Sequence, residues 1–157
     1  MRKYRLVTVA GTFNGLHKGH IALLMKAFEV GERVLLCLSS DKFVEKMKKI
    51  HDVSPYNERI MELESFLRKN NLCDQAQMLP LDDAYGIALS NRNLEAIIVS
   101  QDTEIRAREI NEKRTALGFP QLEIVTIKMI LAENGIPIST TRIMCKEIDQ
   151  EGHVSVI

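Results

Sequence analysis

The sequence predicts a single α/β domain in which helices cover both faces of a five-stranded parallel sheet, in the doubly wound, Rossmann-like manner. Two observations support this fold class. Short apolar runs typical of strands alternate along the chain with segments whose apolar residues recur at helix spacing. The length of 157 residues suits one domain, so we expect residues 1–157 to form a single unit.

The first strand and the first helix are predicted on either side of a glycine-rich turn. Residues 6–10 form a β-branched run that ends at Gly11. Residues from about 19 to 30 then place apolar side chains on one helix face, and Gly31 is positioned to stop that helix. Residues 33–38 read as a second strand of the buried type.

The rest of the chain continues the alternation. Ser54 and Pro55 predict the start of the next helix, as its N-cap and its first-turn residue. The apolar stripe of that helix is Ile60, Leu63, Phe66 and Leu67. The remaining expected elements are strands at 77–81, 96–99 and 122–127, a helix capped by Thr103 that carries Leu117 and stops at Gly118, and a short helix that follows Ser139 or Thr140.

The composition argues against several classes of protein. Lysine plus arginine and aspartate plus glutamate both number 21, so a zero formal net charge offers no overall field to nucleic acid. The three cysteines form no CxxC pair, which argues against a disulfide framework or a zinc ribbon. No apolar run approaches the roughly 18 residues of a membrane span, and no signal-peptide pattern opens the chain. We expect a cytoplasmic protein that binds neither nucleic acid nor membrane.

The turn after the first strand carries the strongest functional signal. The decapeptide GTFNGLHKGH, residues 11–20, leads from the strand directly into a helix. Ligands of open α/β sheets bind beyond the carboxyl ends of the strands, and a helix N-terminus there offers free backbone N–H groups and its positive dipole end to a phosphate. His17 and His20 are three residues apart and share a helix face, so both imidazoles can donate to phosphoryl oxygens.

Other interpretations of these residues stay open. Glycine-rich turns occur in many α/β loops, and His-x-x-His could bind zinc, although no third ligand lies at a suggestive spacing. A second segment, residues 138–143, places consecutive hydroxyls at a predicted helix start with Arg142 beside them, which suits an anion. An ordinary Ser/Thr N-cap gives the same pattern.

Together, the two segments resemble the GTFDxxHxGH and ISSTRI signatures of the adenylyl- and cytidylyltransferase superfamily. The stretches between them resemble the phosphopantetheine adenylyltransferases, in the archaeal form related to the eukaryotic one. The segments that carry this resemblance are Ser40 and Asp41 with Lys46, PYNER at 55–59, LDDAYGIA at 81–88, and VSQDT at 99–103 followed by Asn111 and Arg114. The resemblance covers about residues 7–143.

The chain departs from the family pattern at several positions. Asn14 stands where the superfamily usually has aspartate, so a charge-dependent role at that position is in doubt. Ala84 and Ile87 replace two prolines, Asp102 replaces glutamate, and Arg106 replaces a glycine. Arg106 either adds a phosphate contact near the nucleotide or is simply solvated, and we expect the second.

The resemblance implies adenylyl transfer from ATP to 4′-phosphopantetheine, which gives dephospho-coenzyme A and pyrophosphate. Mg²⁺ would arrive on the ATP phosphates, without a metal site in the protein itself. The implied catalytic residues are His20 at the α-phosphate, Lys46 at the attacking phosphate, His17 and Arg142. The implied ATP-binding residues are Gly11, Thr12, Phe13, His17, Gly19, His20, Ser100, Thr103, Asn111, Ser139, Thr140, Thr141 and Arg142. The implied acceptor-binding residues are Thr12, Lys46, Asp83, Tyr85 and Gly86.

Three alternatives to this assignment stay open. The lysine cluster that contains Lys46 could be an ordinary solvated face. The first signature also fits FAD synthetases, nicotinamide mononucleotide adenylyltransferases and cytidylyltransferases, because one scaffold hosts many activities. A catalytically silent nucleotide-binding regulator is a rival of another class, which the intact His17, His20 and Arg142 disfavour.

Overall fold

Five parallel strands form one sheet in the computed structural model, which describes residues 3–47 and 52–128. The strands are β1 (Tyr4–Gly11), β2 (Gly31–Ser39), β3 (Ala76–Leu81), β4 (Ala96–Ser100) and β5 (Glu123–Ile127). Their order across the sheet is β3-β2-β1-β4-β5, and every neighbouring pair is parallel. The predicted five-stranded parallel sheet is confirmed, with strand ends within two residues of the predicted ones.

Helices cover both faces of the sheet. They are α1 (Lys18–Val30), α2 (Asp41–Met47), α3 (Tyr56–Lys69) and α4 (Glu104–Ala116), with short 3₁₀ turns at Cys73–Gln75, Gly86–Leu89 and Gln101–Thr103. Because side chains alternate along a strand, Val34 and Leu36 face the core beneath α1 and α3, whereas Leu35 faces the core beneath α4. No helix within the described ranges combines the length and apolar character needed to cross a membrane.

Helix α1 runs into β2 without a connecting loop. Gly31 ends the helix as predicted, but its φ of −110° is extended, so it is also the first residue of β2. The reason for glycine here is space rather than a left-handed backbone, because a Cβ on Gly31 would lie 2.5 Å from Val7 Cγ2. The predicted strand therefore begins two residues too late.

The start of α3 differs from the prediction. Pro55, not Ser54, is the N-cap, and it offers the helix no side-chain acceptor. The carboxylate of Asp41 supplies that acceptor from outside, since its Oδ1 accepts the Tyr56 N–H at 2.8 Å. Asp41 is the first residue of α2, a helix that the sequence pattern did not predict because its seven residues include no buried position.

Helix α4 begins and ends where expected, but one residue of its predicted apolar face is exposed. Thr103 is its N-cap, and Gly118 stops it with a left-handed φ of +79°. Leu117, predicted on the apolar face, is 55% exposed. The last predicted helix, after Ser139 or Thr140, lies outside the described residues.

The strand order reverses at the boundary between β1 and β4. These strands pair only at Val7 with Ala96 and at Thr8 with Ile97, although they continue to Gly11 and Ser100. On its other side, β1 stays paired with β2 up to Gly11. The gap beyond Thr8 is the topological switch point, where open α/β sheets bind their ligands.

Candidate active site

A cleft of about 460 Å³ opens at this switch point. It lies beyond the paired part of β1 and β4, between the first turn of α1 and the side of α4. The predicted site residues that line it are Gly11, Thr12, Phe13, His17, Gly19, His20, Tyr85, Ser100 and Thr103. Two predicted site segments that are far apart in sequence, residues 11–20 and 100–103, thus meet at one cleft.

Other predicted residues lie elsewhere. Lys46, Asp83, Gly86 and Asn111 are not part of the cleft wall. The closing motif, from Ser139 to Arg142, falls outside the described residues, so its predicted role at the phosphates stays a prediction.

His17 caps the N-terminus of α1 with its ring. Its Nδ1 accepts hydrogen bonds from the backbone N–H groups of Gly19 at 3.0 Å and His20 at 3.3 Å. The Ile21 N–H bonds to the carbonyl of His17 at 3.0 Å. The expectation that the first turn offers these N–H groups to a phosphate is therefore wrong, because an imidazole takes the place of the usual Ser, Thr or Asp cap.

The His17 ring is neutral at neutral pH. Burial lowers its pKa from 6.5 to about 4. Because Nδ1 accepts two backbone hydrogen bonds, the single proton of the neutral ring is on Nε2. His17 therefore presents a neutral Nε2–H donor, backed by the positive end of the α1 dipole, in line with the expectation that its imidazole can donate.

His20 stacks on His17, which confirms that the two rings share one helix face. The ring centroids are 3.7 Å apart with 20° between the planes. Nδ1 of His20 accepts the backbone N–H of His17 at 3.4 Å, so Nε2 is the donor nitrogen of this ring as well when it is neutral. The Phe13 ring also packs against His20, with 5.3 Å between the ring centroids and 56° between the planes.

Phe13 belongs to the core as well as to the cleft wall. Its side chain is 1% exposed, and its φ of 53° is in the left-handed region, which costs a non-glycine residue about 1–3 kcal/mol. A Cβ on Gly11 would lie 3.3 Å from Phe13 Cε2. Gly11 thus makes room for this ring, in addition to any approach of a phosphate to its backbone.

Two side chains hold the loop between β1 and α1 against the start of α3. Asn14 is buried, accepts the Ser54 N–H at 3.0 Å, and donates from Nδ2 to the Asp52 carbonyl at 3.5 Å. The Leu16 N–H donates to Glu62 Oε1 at 2.9 Å. An aspartate at position 14 could accept but not donate, so the amide suits a structural contact rather than a charge-dependent role.

Arg59 is the functional candidate that sequence reasoning missed. It is 1% exposed and donates to three backbone carbonyls and one carboxylate around the cleft loop. A signal was present in the sequence, because Arg59 lies four residues before Leu63, on the buried face of α3. A cationic side chain on the buried face of a helix indicates that hydrogen-bond acceptors are buried beside it.

The predicted acceptor-side residues shape a turn beside the cleft. Asp83 Oδ1 accepts the N–H groups of Gly86 at 2.6 Å and Tyr85 at 2.8 Å, and these bonds, aided by the charge of Lys46, lower the pKa of the Asp83 carboxyl. Gly86 has a φ of +53°, and a Cβ there would lie 2.4 Å from Leu81 Cδ1. Of this group, Tyr85 lines the cleft.

Ser100 is the N-cap of the 3₁₀ turn at Gln101–Thr103, and it bonds to Thr103 across that turn. Ser100 N–H donates to Thr103 Oγ1 at 3.2 Å, and Thr103 Oγ1 donates back to the Ser100 carbonyl at 3.2 Å. The Ser100 hydroxyl also bonds to Asp102. This closed turn presents its hydroxyl groups at the cleft edge.

Asn111 does not reach the cleft. Its Nδ2 donates to the Leu122 carbonyl at 2.9 Å, and its Oδ1 accepts the Leu122 N–H at 2.7 Å. The amide therefore fixes the start of β5, and the predicted ATP contact is corrected to a structural one.

Arg106 lines the cleft rather than pointing only to solvent. Its guanidinium lies 5.9 Å from the Tyr85 ring centroid, 3.5 Å from the Ala84 carbonyl and 3.7 Å from the Glu109 carboxylate. The expectation of a merely solvated side chain is thus wrong, although half of it remains exposed.

Metal-ligating side chains do not cluster here. Among residues 3–47 and 52–128, no three His, Cys, Asp or Glu side chains are grouped to hold a metal ion.

Comparison with known proteins agrees with this geometry. The model of the family described as cytidylyltransferase-like matches residues 8–146. A phosphopantetheine adenylyltransferase of Methanothermobacter thermautotrophicus is 46% identical over 98% of this chain and 91% of its own length. One from Methanopyrus kandleri is 39% identical over 96% of this chain and 94% of its own length.

A solved structure supports the fold independently. A protein of unknown function from Archaeoglobus fulgidus superposes with a TM-score of 0.70 at 27% identity, over 81% of this chain and 89% of that one.

Proposed function

Because the chain belongs to the cytidylyltransferase-like family, and within it to the phosphopantetheine adenylyltransferases, we propose that it transfers the adenylyl group of ATP to 4′-phosphopantetheine. The products are dephospho-coenzyme A and pyrophosphate, a step of coenzyme A biosynthesis. The observation that carries the proposed chemistry is the stacked pair of His17 and His20 at the carboxyl end of β1. The acceptor is inferred from the names of the relatives.

The reaction is an in-line displacement at the α-phosphorus of ATP. An oxygen of the acceptor phosphate forms the new phosphorus–oxygen bond while the bond to the bridging oxygen breaks, and pyrophosphate leaves with that electron pair. No protein atom needs to bond to phosphorus. The protein therefore contributes positioning and stabilisation of the charge that develops in the transition state.

The two histidines suit that stabilisation without gaining or losing a proton. Charge gathers on the equatorial oxygens of the α-phosphate during attack, and an Nε2–H donor aimed at them binds the transition state more tightly than the ground state. We assign this role to His20. His17 holds His20 in place through stacking and the shared capping bonds, and it donates to a neighbouring phosphoryl oxygen.

Lys46 is proposed to align the acceptor phosphate. It is exposed on α2, and the same helix contributes Phe43 and Met47 to the cleft wall. Its charge already acts on Asp83 at the cleft's acceptor side. A lysine stem of four carbons can swing its ammonium group between that position and a phosphate in the cleft.

The distal phosphates are proposed to meet the closing motif. Ser139, Thr140, Thr141 and Arg142 would hold the β- and γ-phosphates through hydroxyl and guanidinium donors. Mg²⁺ is proposed to arrive on these phosphates, where it would supply charge neutralisation for the leaving pyrophosphate.

Pyrophosphate release with ATP against a panel of acceptors tests the proposal. We expect release with 4′-phosphopantetheine and none with flavin mononucleotide or nicotinamide mononucleotide. Activity with only one of the latter would overturn the acceptor. Nucleotide binding without turnover on any acceptor would instead identify a silent regulator.

A further inference from the structure

A charged side chain in the interior needs a reason, and Arg59 is buried in the first turn of α3. Removing a guanidinium from water is costly unless its N–H groups find acceptors. All three of its nitrogens find them. Nε donates to the Ser54 carbonyl at 2.8 Å, Nη1 donates to the carbonyls of Thr12 at 3.0 Å and Ser39 at 2.7 Å, and Nη2 donates to Asp41 Oδ1 at 3.1 Å.

Two of these acceptors mark the point where β1 and β2 stop pairing with each other. Gly11 and Leu38 are the last pair between these two strands, and Thr12 and Ser39 are the residues that follow, although Ser39 still pairs with Leu81 of β3. A single nitrogen, Nη1, therefore bonds to the carbonyls of Thr12 and Ser39, just beyond the last pair between β1 and β2. Together with the hydrogen bond from Thr12 Oγ1 to Ser39 Oγ at 3.3 Å, this bond pair holds the loop between β1 and α1, here called the phosphate loop, next to the segment that leads into α2.

The Asp41 carboxylate adds α2 to this set of Arg59 hydrogen bonds, which we call the clamp. Asp41 Oδ1 accepts from both Arg59 and the Tyr56 N–H, so it ties the first residue of α2 to the first residue of α3. No residue of helix α2 is fully buried, so polar contacts of this kind contribute to holding the helix in place. Lys46 is on that helix.

We propose that Arg59 is a positioning residue that aligns the two halves of the site, the phosphate loop at Thr12 and the helix that carries Lys46. It touches neither substrate, but it is bonded to both segments that would hold them. The catalytic part of this inference rests on the proposed function, whereas the mechanical coupling of the two segments does not. Without the planar, forked guanidinium, the acceptor substrate should be misaligned with the α-phosphate of ATP. Small misplacements of this kind cost on the order of 100-fold in rate.

Arg59→Lys tests the proposal, because lysine keeps the charge but lacks the planar fork. We expect kcat to fall on the order of 100-fold, with a much smaller change in the KM for ATP. Two controls on α3 separate alignment from simple loss of stability. Arg68→Lys is the same change at an exposed position, and Leu67→Ala destabilises the core without touching the clamp.

A second readout, hydrogen exchange of the unliganded protein, needs no acceptor. In Arg59→Lys we expect faster exchange in residues 12–16 and 41–47 together, and unchanged exchange in α4. If wild type fails to adenylylate phosphopantetheine, the proposed function is wrong, while this measurement still decides whether Arg59 couples the two segments. Faster exchange confined to α3, or an equal loss of kcat in Leu67→Ala at matched folded fraction, overturns the inference.

Asp41→Ala provides a variant that should fold even if Arg59→Lys does not, because the Asp41 side chain is largely exposed. It releases α2 but leaves the bond from Arg59 to Thr12. We therefore expect faster exchange in residues 41–47 and a reduced kcat, with residues 12–16 unchanged. Identical exchange to wild type in residues 41–47 would contradict the clamp.

Discussion

Two buried arginines occupy opposite faces of the sheet, and their surroundings differ. Arg59, beneath the phosphate loop, pairs with the Asp41 carboxylate as well as with carbonyls. Arg114, on α4, donates to the carbonyls of Pro120 at 2.8 Å, Ala88 at 2.7 Å and Asn91 at 3.0 Å. Its remaining nitrogen, Nη2, is buried without a partner among the described residues, and burial lowers the pKa of this guanidinium from its ordinary value.

The comparison shows that one side-chain chemistry serves two purposes. Arg59 joins the ends of two strands and the start of a helix, which are segments that must be aligned for group transfer. Arg114 braces the single turn at Gly86–Leu89 against the end of α4, and it forms no salt bridge with any carboxylate in the part of the chain that the structure describes. We therefore expect substitutions near Arg59 to appear mainly in rates and substitutions of Arg114 mainly in stability.

The largest expected effect is on folding, from Arg114→Met. One buried and two partly buried carbonyls would lose their donor, and each buried unsatisfied group costs about 1–3 kcal/mol, so we expect a loss of about 3–5 kcal/mol in the free energy of unfolding. Urea denaturation measures it, with the exposed Arg108→Met on the same helix as the control. A variant as stable as wild type would remove the contrast between the two arginines.

His20→Ala should have the opposite effect to Arg114→Met, because it should lower the reaction rate rather than the stability. Losing one preorganised donor typically costs roughly 100- to 1000-fold in rate, while ATP affinity stays nearly unchanged. Single-turnover kinetics with a melting curve measures both, and Met25→Ala, an exposed change on the same helix, serves as the control. A stable variant with the normal rate would show that His20 only packs against Phe13 and His17.

The smallest expected effect is a pH dependence of the free energy of unfolding that comes from His17, next to the phosphate loop. The pKa of His17 is about 4 in the folded state and 6.5 unfolded, so the unfolded chain binds more protons between these values and stability falls as the pH drops from 6.5 towards 4. Between pH 7 and pH 5 we expect a loss of about 1–2 kcal/mol. His17→Asn keeps an N-cap acceptor that does not titrate, so its unfolding free energy should decline less. Equal declines would assign the effect to other groups.

The sequence predicted the fold because its signals were local. Apolar runs and helix spacing identified all five strands, and the spacing of His17 and His20 correctly predicted a shared face. These features depend on residues within one turn or one strand. Local patterns therefore suffice for the elements and for the centre of the site.

What the sequence did not predict depends on contacts between distant segments. The burial of Arg59 requires acceptors from residues 12, 39, 41 and 54, which no periodic pattern relates to one another. Asn111 resembled a ligand contact, but its amide is used by Leu122. Histidine is an uncommon N-cap, so the closure of the α1 first turn by His17 could not be expected from cap preferences.

The junction at Gly31 limits where the chain can change its length. Helix α1 becomes β2 within one residue, and the neighbouring Val7 leaves no room for a side chain there. An inserted residue would rotate α1, and with it His17 and His20, relative to the sheet, or it would shift β2 along β1. Length variation and engineered insertions should therefore be tolerated in turns that end with a left-handed residue, such as those at Asn71 and Gly118, and rejected between the first helix and the second strand.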